Sequence, residues 1–361
     1  GMMIPRASKL IALAIAVSST GLFASVAAQS VPRNQRWDPN YQPGRTAWGH
    51  PNLQGDWTNA TLTPLERRQG TDAVYSWEQA DRIAGGQLAR NQRGAEPSDP
   101  NRPPPEPGNI GAYNTIFFEQ GDGPAIVNGE PRSSLITNPP DGRRPALTPE
   151  GEKRRNEVRD FMAGFSQYDN PENRTLADRC LVSFGSHGGP PMTPNYGYNG
   201  NYTIVQTADY LMIHYEMVHD TRIIRLGEPD PLPDHMRPWF GDSWGHWEGN
   251  TLIVETTNIH PLQNYATESI ARLVAPGIWG VRPTMDLKVT ERFTRTDQQT
   301  ILYEFTVDDP TTYTQTWGGE VPFTKYDDLL YEYNCHEGNY AMSNILSGAR
   351  FQEREGNNER D

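Results

Sequence analysis

The distribution of apolar residues changes near residue 200. From there to about residue 335, short segments alternate apolar and polar side chains with a period of two, and turn-forming residues separate them. The segments are NYTIVQTAD, YLMIHYEMV, TRIIRL, GDSWGHWEGNTLIVETTNI, DLKVTERFTRTDQQTILYEFTVDD, TYTQTWGGEVPF and LLYEYNC. Consecutive hairpins without intervening helices form an antiparallel meander. The pattern therefore predicts a mainly β fold, a meander closed into a barrel or half-barrel with a few peripheral helices.

Two turns between these segments can be assigned from the sequence. Gly249-Asn250 in WEGNTL is a signal for a two-residue hairpin loop. The segment RTDQQTI, residues 295–301, predicts a longer reversal between the next two strands. In the strand before that reversal, the alternation places Glu291 on the same face as Val289 and Phe293.

The N-terminal half predicts helices and short strands joined by polar segments. Ser76 followed three residues later by Gln79 is a capping-box signal for a helix over SWEQADRIAGGQLARN. Thr148 and Pro149 predict the cap and the first position of a second helix. Asn339 predicts the cap of a helix near the C-terminus. Short strands are predicted over residues 55–59, 115–119 and 133–137.

The first 28 residues have the layout of a secretory signal peptide. Arg6 and Lys9 form a basic region, an apolar stretch begins at Leu10, and Val26-Ala27-Ala28 offers small residues for cleavage. A membrane anchor is the alternative, but residues 18–21 interrupt an apolar run that is already short for a span. The sequence thus predicts a periplasmic or secreted protein with no membrane insertion after cleavage.

These patterns predict one folded domain. Residues 1–28 are the signal peptide, 29–185 an irregular N-terminal wrap with short strands and two helices, and 186–350 the antiparallel barrel core with the C-terminal helix. Residues 351–361 are polar and are predicted to be a disordered tail.

Net charge narrows the class of partner. The chain has 32 basic and 45 acidic residues, and the predicted signal peptide contains two of the basic ones and none of the acidic ones. The remainder has 30 against 45, a formal charge of −15. Such a surface repels phosphate backbones, and no basic cluster reverses that locally. The expected partner is a small-molecule ligand or substrate rather than nucleic acid, and no cofactor is expected.

The chain contains only two cysteines, Cys180 and Cys335. In an oxidising compartment a disulfide between them is the economical interpretation. The alternative is a catalytic thiol, which would require one cysteine to stay free.

The chain also resembles known proteins in two ways. The segment LQGDWTN is similar to the Gly-x-Trp opening strand of lipocalin-like (calycin) barrels, which implies a barrel fold. Across residues 50 to 350, six segments resemble a widespread family of uncharacterised secreted bacterial proteins, which implies secretion but no particular activity. They are LADRCLVSFG, HDTRIIRL, GDSWGHWEGNTLIVETTN, ERFTRTD, DPTTYTQTW and LLYEYNCHEGNYAMSNIL.

The densest group of ionisable residues is HYEMVHD, residues 214–220. If residues 211–219 form one strand, His214 and Glu216 lie side by side on one face. His219 and Asp220 then belong to the turn or to the opposite face. Since both faces of this segment carry apolar residues, we expect both to be partly buried, with His214 and Glu216 facing a cavity.

A second His-x-Glu pair occurs in SWGHWEGN, where His246, Glu248 and Trp244 share a face. Three interpretations remain open for the two pairs. They could converge on a metal ion, although no recognised ligand spacing is present and no metal is expected. They could act as acid and base inside the barrel. They could also be exposed cross-strand pairs.

Further residues are predicted to line a ligand site. Arg222 follows the turn and could hold a carboxylate or a sugar acid through two hydrogen bonds. The segment 184–202 is rich in Gly and Tyr, lacks a nucleotide-binding pattern, and is expected to form a lid over the barrel mouth. The other predicted contacts are Tyr196, Tyr198, Tyr202, Trp239, Trp244, Trp247, His336 and Glu337.

Two functions are consistent with this sequence. The first is a secreted or periplasmic protein that binds a small, ring-containing molecule in an aromatic- and His/Glu-lined cavity. The alternative is a cofactor-independent lyase or hydrolase acting on a sugar or an aromatic substrate. There His214 or His246 would be the base, Glu216 or Glu248 the acid or the residue that orients the base, and Arg222 the electrophilic clamp.

Overall fold

A computed structural model describes residues 38–355, except residues 39, 98, 100, 102, 104–118, 167, 184–187, 195–198, 264–280 and 336–339. Within these residues the protein is mainly β, with a closed nine-stranded barrel and three helices, which confirms the predicted fold class. No helix in the described part of the chain has the length and apolar character needed to cross a membrane.

The strands follow one another around the barrel almost in chain order. The order is β1-β5-β6-β7-β8-β9-β10-β11-β12, and a pairing between β1 and β12 closes it. The short β4 adds to the side of β12, and β2 and β3 form a separate hairpin. The bounds are β1 Gly55–Thr58, β2 Ile126–Val127, β3 Glu130–Pro131, β4 Ile136–Asn138, β5 Asn201–Gln206, β6 Tyr210–Tyr215, β7 Thr221–Leu226, β8 Asp242–Glu248, β9 Thr251–Thr257, β10 Lys288–Arg295, β11 Thr300–Asp308 and β12 Trp317–Lys325.

One pairing departs from the predicted meander. β7 and β8 are parallel, with Arg225 opposite Trp244 and Leu226 opposite Gly245, whereas the other pairings of the described sheet are antiparallel. A parallel pair needs a crossover connection, and residues 227–241 supply it. This segment contains four prolines and runs back to the end of the barrel at which β7 began.

Both predicted turns are confirmed. Glu248 pairs with Thr251, so Gly249 and Asn250 form a two-residue loop, and Gly249 has a φ of +62° that favours glycine. β10 and β11 are joined by residues 296–299.

The helices match their predicted starts in two cases. α1 (Trp77–Gly94) has the predicted capping box between Ser76 and Gln79. α2 (Pro149–Ala163) begins at the predicted proline, and Thr148 Oγ1 accepts from the backbone N–H of Gly151 at 3.0 Å. α3 (Ala341–Arg354) has Tyr340 at its N-cap and continues past residue 350, where the sequence predicts its end; the predicted cap Asn339 lies outside the described residues.

The predicted short strands differ in extent. Residues 115–118 lie outside the described part of the chain, and the strand predicted over 133–137 is observed as β4, three residues further on. The side chains of Ser133 and Ser134 bond to backbone carbonyls instead of starting the strand, with Ser133 Oγ at 3.1 Å from Ala73 O and Ser134 Oγ at 2.9 Å from Ile136 O.

Aromatic rings fill much of the barrel interior. The rings of Tyr202 and Phe323 lie 5.1 Å apart, and those of Tyr303 and Phe323 lie 5.4 Å apart, within the range of favourable aromatic pairs. The buried aromatic cluster consists of Trp57, Tyr202, Tyr215, Phe293, Tyr303, Phe305, Tyr313, Trp317 and Phe323.

The N-terminal segment covers the end of the barrel at which β9 begins. Leu53 is fully buried and donates its N–H to Gln206 Oε1 at 2.6 Å. The His50 ring stacks on Trp247 at 5.3 Å, and Arg45 Nη2 donates to Asn250 Oδ1 at 2.7 Å. We call this the covered end; the opposite end, at which β7 begins, carries the candidate site.

Candidate functional site

A loop segment enters the barrel from the end opposite the covered end. Residues 188–194, with the sequence GGPPMTP, are all buried, and Met192 is fully buried in the core. The Met192 N–H donates to Tyr303 Oη at 2.9 Å, and Asn59 Nδ2 donates to the Met192 carbonyl at 3.4 Å. We call residues 188–194 the plug. It belongs to the segment predicted to be a lid, but it lies inside the barrel.

Gly189 of the plug lies close to the guanidinium group of Arg222. Gly189 has a φ of +89°, and a Cβ at this position would lie 2.9 Å from Arg222 Nη1 and 2.8 Å from Met192 Cγ. Both the conformation and the lack of space require glycine here. The plug therefore packs directly against Arg222.

Arg222 forms a buried ion pair with Glu291 inside the barrel. Nη1 donates to Oε1 at 2.9 Å, and Nη2 donates to Oε2, so the contact is bidentate. Arg222 Nε donates to Ser243 Oγ at 3.1 Å, Nη2 also donates to Thr256 Oγ1 at 2.9 Å, and Tyr303 Oη donates to Glu291 Oε1 at 2.9 Å. These five residues form what we call the polar layer.

Burial and the charge of Glu291 shift the pKa values of Arg222 and Tyr303 in the polar layer. Burial by itself lowers the pKa of Arg222, but the adjacent Glu291 carboxylate outweighs this effect and the pKa is raised. Burial, together with the charge of Glu291, raises the pKa of Tyr303, which therefore stays a neutral donor. The polar layer is a satisfied network in an otherwise apolar interior.

The segment from residue 211 to 219 is a strand followed by a tight turn, so the prediction of a single strand there is wrong. β6 ends at Tyr215, a 3₁₀ turn covers Met217–His219, and β7 begins at Thr221. Val218 has a φ of +60° and His219 a φ of +47°. A β-branched residue in this region is strained, and such strain is typical of functional sites.

Asp220 ends this turn and faces the plug. It is 9% exposed, and its Oδ2 accepts the Ser183 N–H at 3.0 Å. A Cβ at Gly188 would lie 3.6 Å from the Asp220 Cβ. Burial raises the pKa of Asp220 to about 7, so the group changes charge near neutral pH.

Glu216 is buried at the same end of the barrel. Oε1 accepts the Tyr331 N–H at 2.7 Å, and Oε2 accepts from Asn201 Nδ2 at 2.9 Å. Burial, and to a smaller extent the charge of Glu119, raises its pKa. Glu216 is thus a buried acid held by neutral donors.

His214 lies on the outer face of the barrel wall. Its neighbours Ile213 and Tyr215 are the inward, fully buried residues of β6, so the alternation turns His214 outward. Its Nδ1 is 3.0 Å from Thr221 Oγ1. Partial burial, together with the nearby His219, lowers its pKa. His214 therefore does not face the polar layer.

His246 and Glu248 also lie on the outer face. Their side chains are 54% and 56% exposed, and His246 Nε2 is 3.4 Å from Glu248 Oε1. Arg292 Nη1 approaches Glu248 at 3.6 Å. This arrangement is that of an exposed cross-strand group. The structure does not bring this pair together with His214 and Glu216 in one pocket.

The predicted aromatic contacts are spread over several surfaces. Tyr202 is inside the barrel, where its hydroxyl accepts from Asn59 Nδ2 at 3.0 Å. Trp244 is on the outer wall with the Arg225 guanidinium 4.0 Å from its ring, and Trp247 is at the covered end. The rings of Trp239 and His260 are tilted against each other, with their centroids 3.9 Å apart. Tyr196, Tyr198, His336 and Glu337 lie outside the described residues.

The predicted disulfide is confirmed. Cys180 and Cys335 are bonded, with their Cα atoms 5.3 Å apart. The bond ties the segment before the plug to the segment before α3. Within the described ranges, no three His, Cys, Asp or Glu side chains gather in a way that could hold a metal ion.

Sequence patterns identify two members of the polar layer and miss the rest. Arg222 is a predicted site residue, and the alternation places Glu291 on the same face as the apolar Val289 and Phe293, but Ser243, Thr256 and Tyr303 carry no local signal of their role. Their positions in the inward register of β8, β9 and β11 could have identified them once the partner strands were known.

Comparisons with protein-family models, with curated proteins and with solved structures each returned no match. The function is therefore inferred from the geometry of this chain.

Proposed function

We propose that the protein binds a small, ring-containing molecule inside the barrel, in the space that the plug occupies in this structure. The observation that carries this proposal is that the plug contacts Tyr303 and Arg222 inside the barrel. The space next to these two side chains is therefore filled by a loop segment and not by side chains of the barrel strands. Barrels of about this size either fill their interior with side chains or hold one small ligand.

The composition of the interior indicates the ligand chemistry. The aromatic cluster offers apolar ring faces, and the polar layer offers directional hydrogen bonds. The hydrogen bonds of the plug show which wall groups a ligand would have to satisfy. The Met192 N–H donates to Tyr303 Oη, and the Met192 carbonyl accepts from Asn59 Nδ2. A ring carrying one donor and one acceptor, as in an amide or a hydroxylated carbonyl compound, would replace both contacts.

The compartment is consistent with this function. A disulfide indicates an oxidising environment. Together with the predicted signal peptide, this supports a periplasmic or secreted ligand-binding protein.

The test is a thermal-shift screen of ring-containing amides and phenols against three proteins. Met192→Ala weakens the competing plug, whereas Met217→Ala removes the same side chain from a fully buried position in the turn. Ligands that bind in place of the plug should raise the melting temperature of Met192→Ala more than that of wild type or Met217→Ala. Equal shifts in all three proteins, or no shift in any, would contradict the proposal.

A second candidate function is supported by Asp220. A carboxyl group with a pKa near 7 beside the plug is suited to general acid-base catalysis on a bound ligand. This supports the lyase or hydrolase alternative, with Asp220 instead of Glu216 or Glu248 as the acid. Asp220→Asn should then abolish turnover of an identified ligand while retaining its binding; unchanged turnover would exclude this role.

A further inference from the structure

Two loops meet at the end of the barrel opposite the covered end. The crossover connection, residues 227–241, contributes Arg237 and Trp239, and the loop after β9 contributes His260. The His260 N–H donates to the Pro238 carbonyl at 2.9 Å, and the ring centroids of Trp239 and His260 lie 3.9 Å apart. We call Arg237, Trp239 and His260 the rim cluster.

Asn258 fixes the crossover loop in front of the rim cluster. Its Nδ2 donates to the Met236 carbonyl at 2.8 Å and to the Pro233 carbonyl at 3.3 Å. Asn258 itself has a φ of +58°, a conformation that asparagine adopts more readily than most residues. Arg237, which follows Met236 directly, is therefore held at this end of the barrel by a local feature of the sequence.

The guanidinium of Arg237 is almost without protein acceptors. Its Nη2 donates to the Thr284 carbonyl at 3.5 Å, the outer limit of a hydrogen bond, and its buried Nε has no partner among the described residues. A guanidinium carries five N–H donors. Asp234, the nearest acidic residue in sequence, forms no ion pair with Arg237, and neither does any other described carboxylate.

This positive charge is also partly removed from water. Burial lowers the pKa of Arg237 and is its main cause, so the charged form is disfavoured by desolvation. A desolvated cation without a counter-ion costs free energy, and a bound anion would recover it. The unused donors and the missing counter-charge therefore point to the same kind of ligand.

His260 adds a neutral donor. Its Nδ1 accepts the Leu262 N–H at 3.1 Å, so the proton of the neutral imidazole is on Nε2. Partial burial, together with the charge of Arg237, lowers the pKa of His260 and keeps the ring neutral near pH 7. No acceptor for Nε2–H is found among the residues that the structure describes.

Apolar side chains are exposed on the segments around the rim cluster. Met236, Leu262 and Met285 are 49%, 40% and 47% exposed. Met236 precedes Arg237, and Met285 follows the residue whose carbonyl Arg237 contacts. Exposed apolar groups around unused polar groups are typical of a ligand-binding surface.

We propose that the rim cluster binds the carboxylate of a small aromatic acid, with Arg237 and His260 as donors and the ring of the acid against Trp239. The fork of a guanidinium matches a carboxylate through two parallel hydrogen bonds, and a partly exposed indole offers a flat apolar surface. A carboxylate is preferred over phosphate or sulfate, because the chain has a formal net charge of −13 and a second negative charge is costly among apolar groups.

The rim cluster lies beside the plug and not in its place. Phe240 follows Trp239, and a Cβ at Gly188 of the plug would lie 3.0 Å from Phe240 Cε1. An acid at the rim cluster therefore leaves the plug inside the barrel. This site is independent of ligand binding in the space of the plug.

The experiment is titration calorimetry of the full chain with benzoate and with benzamide, its neutral analogue. Wild type should bind benzoate saturably and at least tenfold more tightly than benzamide. Arg237→Gln should lose this preference, whereas Arg292→Gln, which removes a partly exposed arginine of the outer wall, should keep it. Trp239→Ala should weaken benzoate binding without changing the preference for the charged ligand.

Two further measurements separate this site from other effects. Without ligand, Arg237→Gln should melt at or above the temperature of wild type, because a desolvated charge is removed, so its loss of binding is not a loss of folding. Met192→Ala should bind benzoate as wild type does, because the plug is not displaced. Absence of saturable benzoate binding by wild type, equal affinities for the two ligands, or tighter benzoate binding by Met192→Ala would overturn the proposal.

Discussion

The backbone N–H of Met192 donates to the hydroxyl of Tyr303 at 2.9 Å, so that a loop residue completes a hydrogen-bond network inside the barrel. The Tyr303 hydroxyl in turn donates to Glu291 Oε1, which also accepts from Arg222 Nη1. The plug and the strands are thereby coupled through one charged pair. A change in that pair should therefore also disturb the plug.

Removing one half of the buried ion pair should destabilise the protein strongly. Arg222→Met leaves Glu291 charged and buried without its partner, and we expect a loss of about 3–5 kcal/mol in the free energy of unfolding. Lys288→Met removes the basic half of an exposed pair with Glu255 and should cost less than about 1 kcal/mol. Urea unfolding of both variants measures the difference; equal losses would show that burial of the pair is not what matters.

The plug should tolerate no side chain at residue 189. Gly189→Ala combines a positive φ with a clash against Arg222 and Met192. Gly129→Ala is the matched control, because Gly129 has a φ of +79° with open space around its Cβ position. We expect roughly 1–2 kcal/mol of destabilisation for the control, from the left-handed backbone alone. Gly189→Ala should cost about 1–3 kcal/mol more in chemical denaturation, from overpacking.

Stability should fall as the pH rises towards neutrality because of Asp220. Its pKa is about 7 in the folded protein and ordinary in the unfolded chain, so the folded state holds a proton that the unfolded state releases. The resulting stability is fully present below about pH 4 and is lost as the pH passes through 7, with an upper bound of about 4 kcal/mol. Asp220→Asn should therefore be more stable than wild type at pH 8 and similar to it at pH 4. A wild-type pH profile in this variant would rule out Asp220 as the source.

Reduction of the disulfide should lower stability without abolishing the barrel. The bond closes a loop with a separation of 155 residues, for which the chain-entropy treatment gives about 5 kcal/mol. Cys180→Ser with Cys335→Ser should show this loss in unfolding experiments. Wild type in reductant should match the double variant, and a difference between them would point to an effect of the serines themselves.

The fold was largely predictable, and the site only in part. Period-two alternation identified β5 to β12 because each of these strands has one face in the core, and the turn at Gly249-Asn250 follows from local backbone preference. The parallel pairing of β7 with β8 was not predictable, since it depends on where residues 227–241 lead the chain.

The candidate site, too, was predictable from the sequence only in part. His214, Glu216, His246 and Glu248 share a sequence pattern, yet the first pair is separated by the end of β6 and the second lies on the exposed wall. The alternation gives the two faces of a strand but not which one is inside when both carry apolar residues.

By itself, the sequence determined the class of fold, the pairing of its only two cysteines, the starts of α1 and α2, and an acidic net charge. These features follow from local periodicity, capping and composition. Only the tertiary structure decided that Arg222 pairs with Glu291, that Met192 enters the barrel, and that Glu119 meets Glu216 across Asn201. Each of these contacts joins residues that are distant in the chain, and their approach is set by barrel closure and strand register, which no short stretch of sequence encodes.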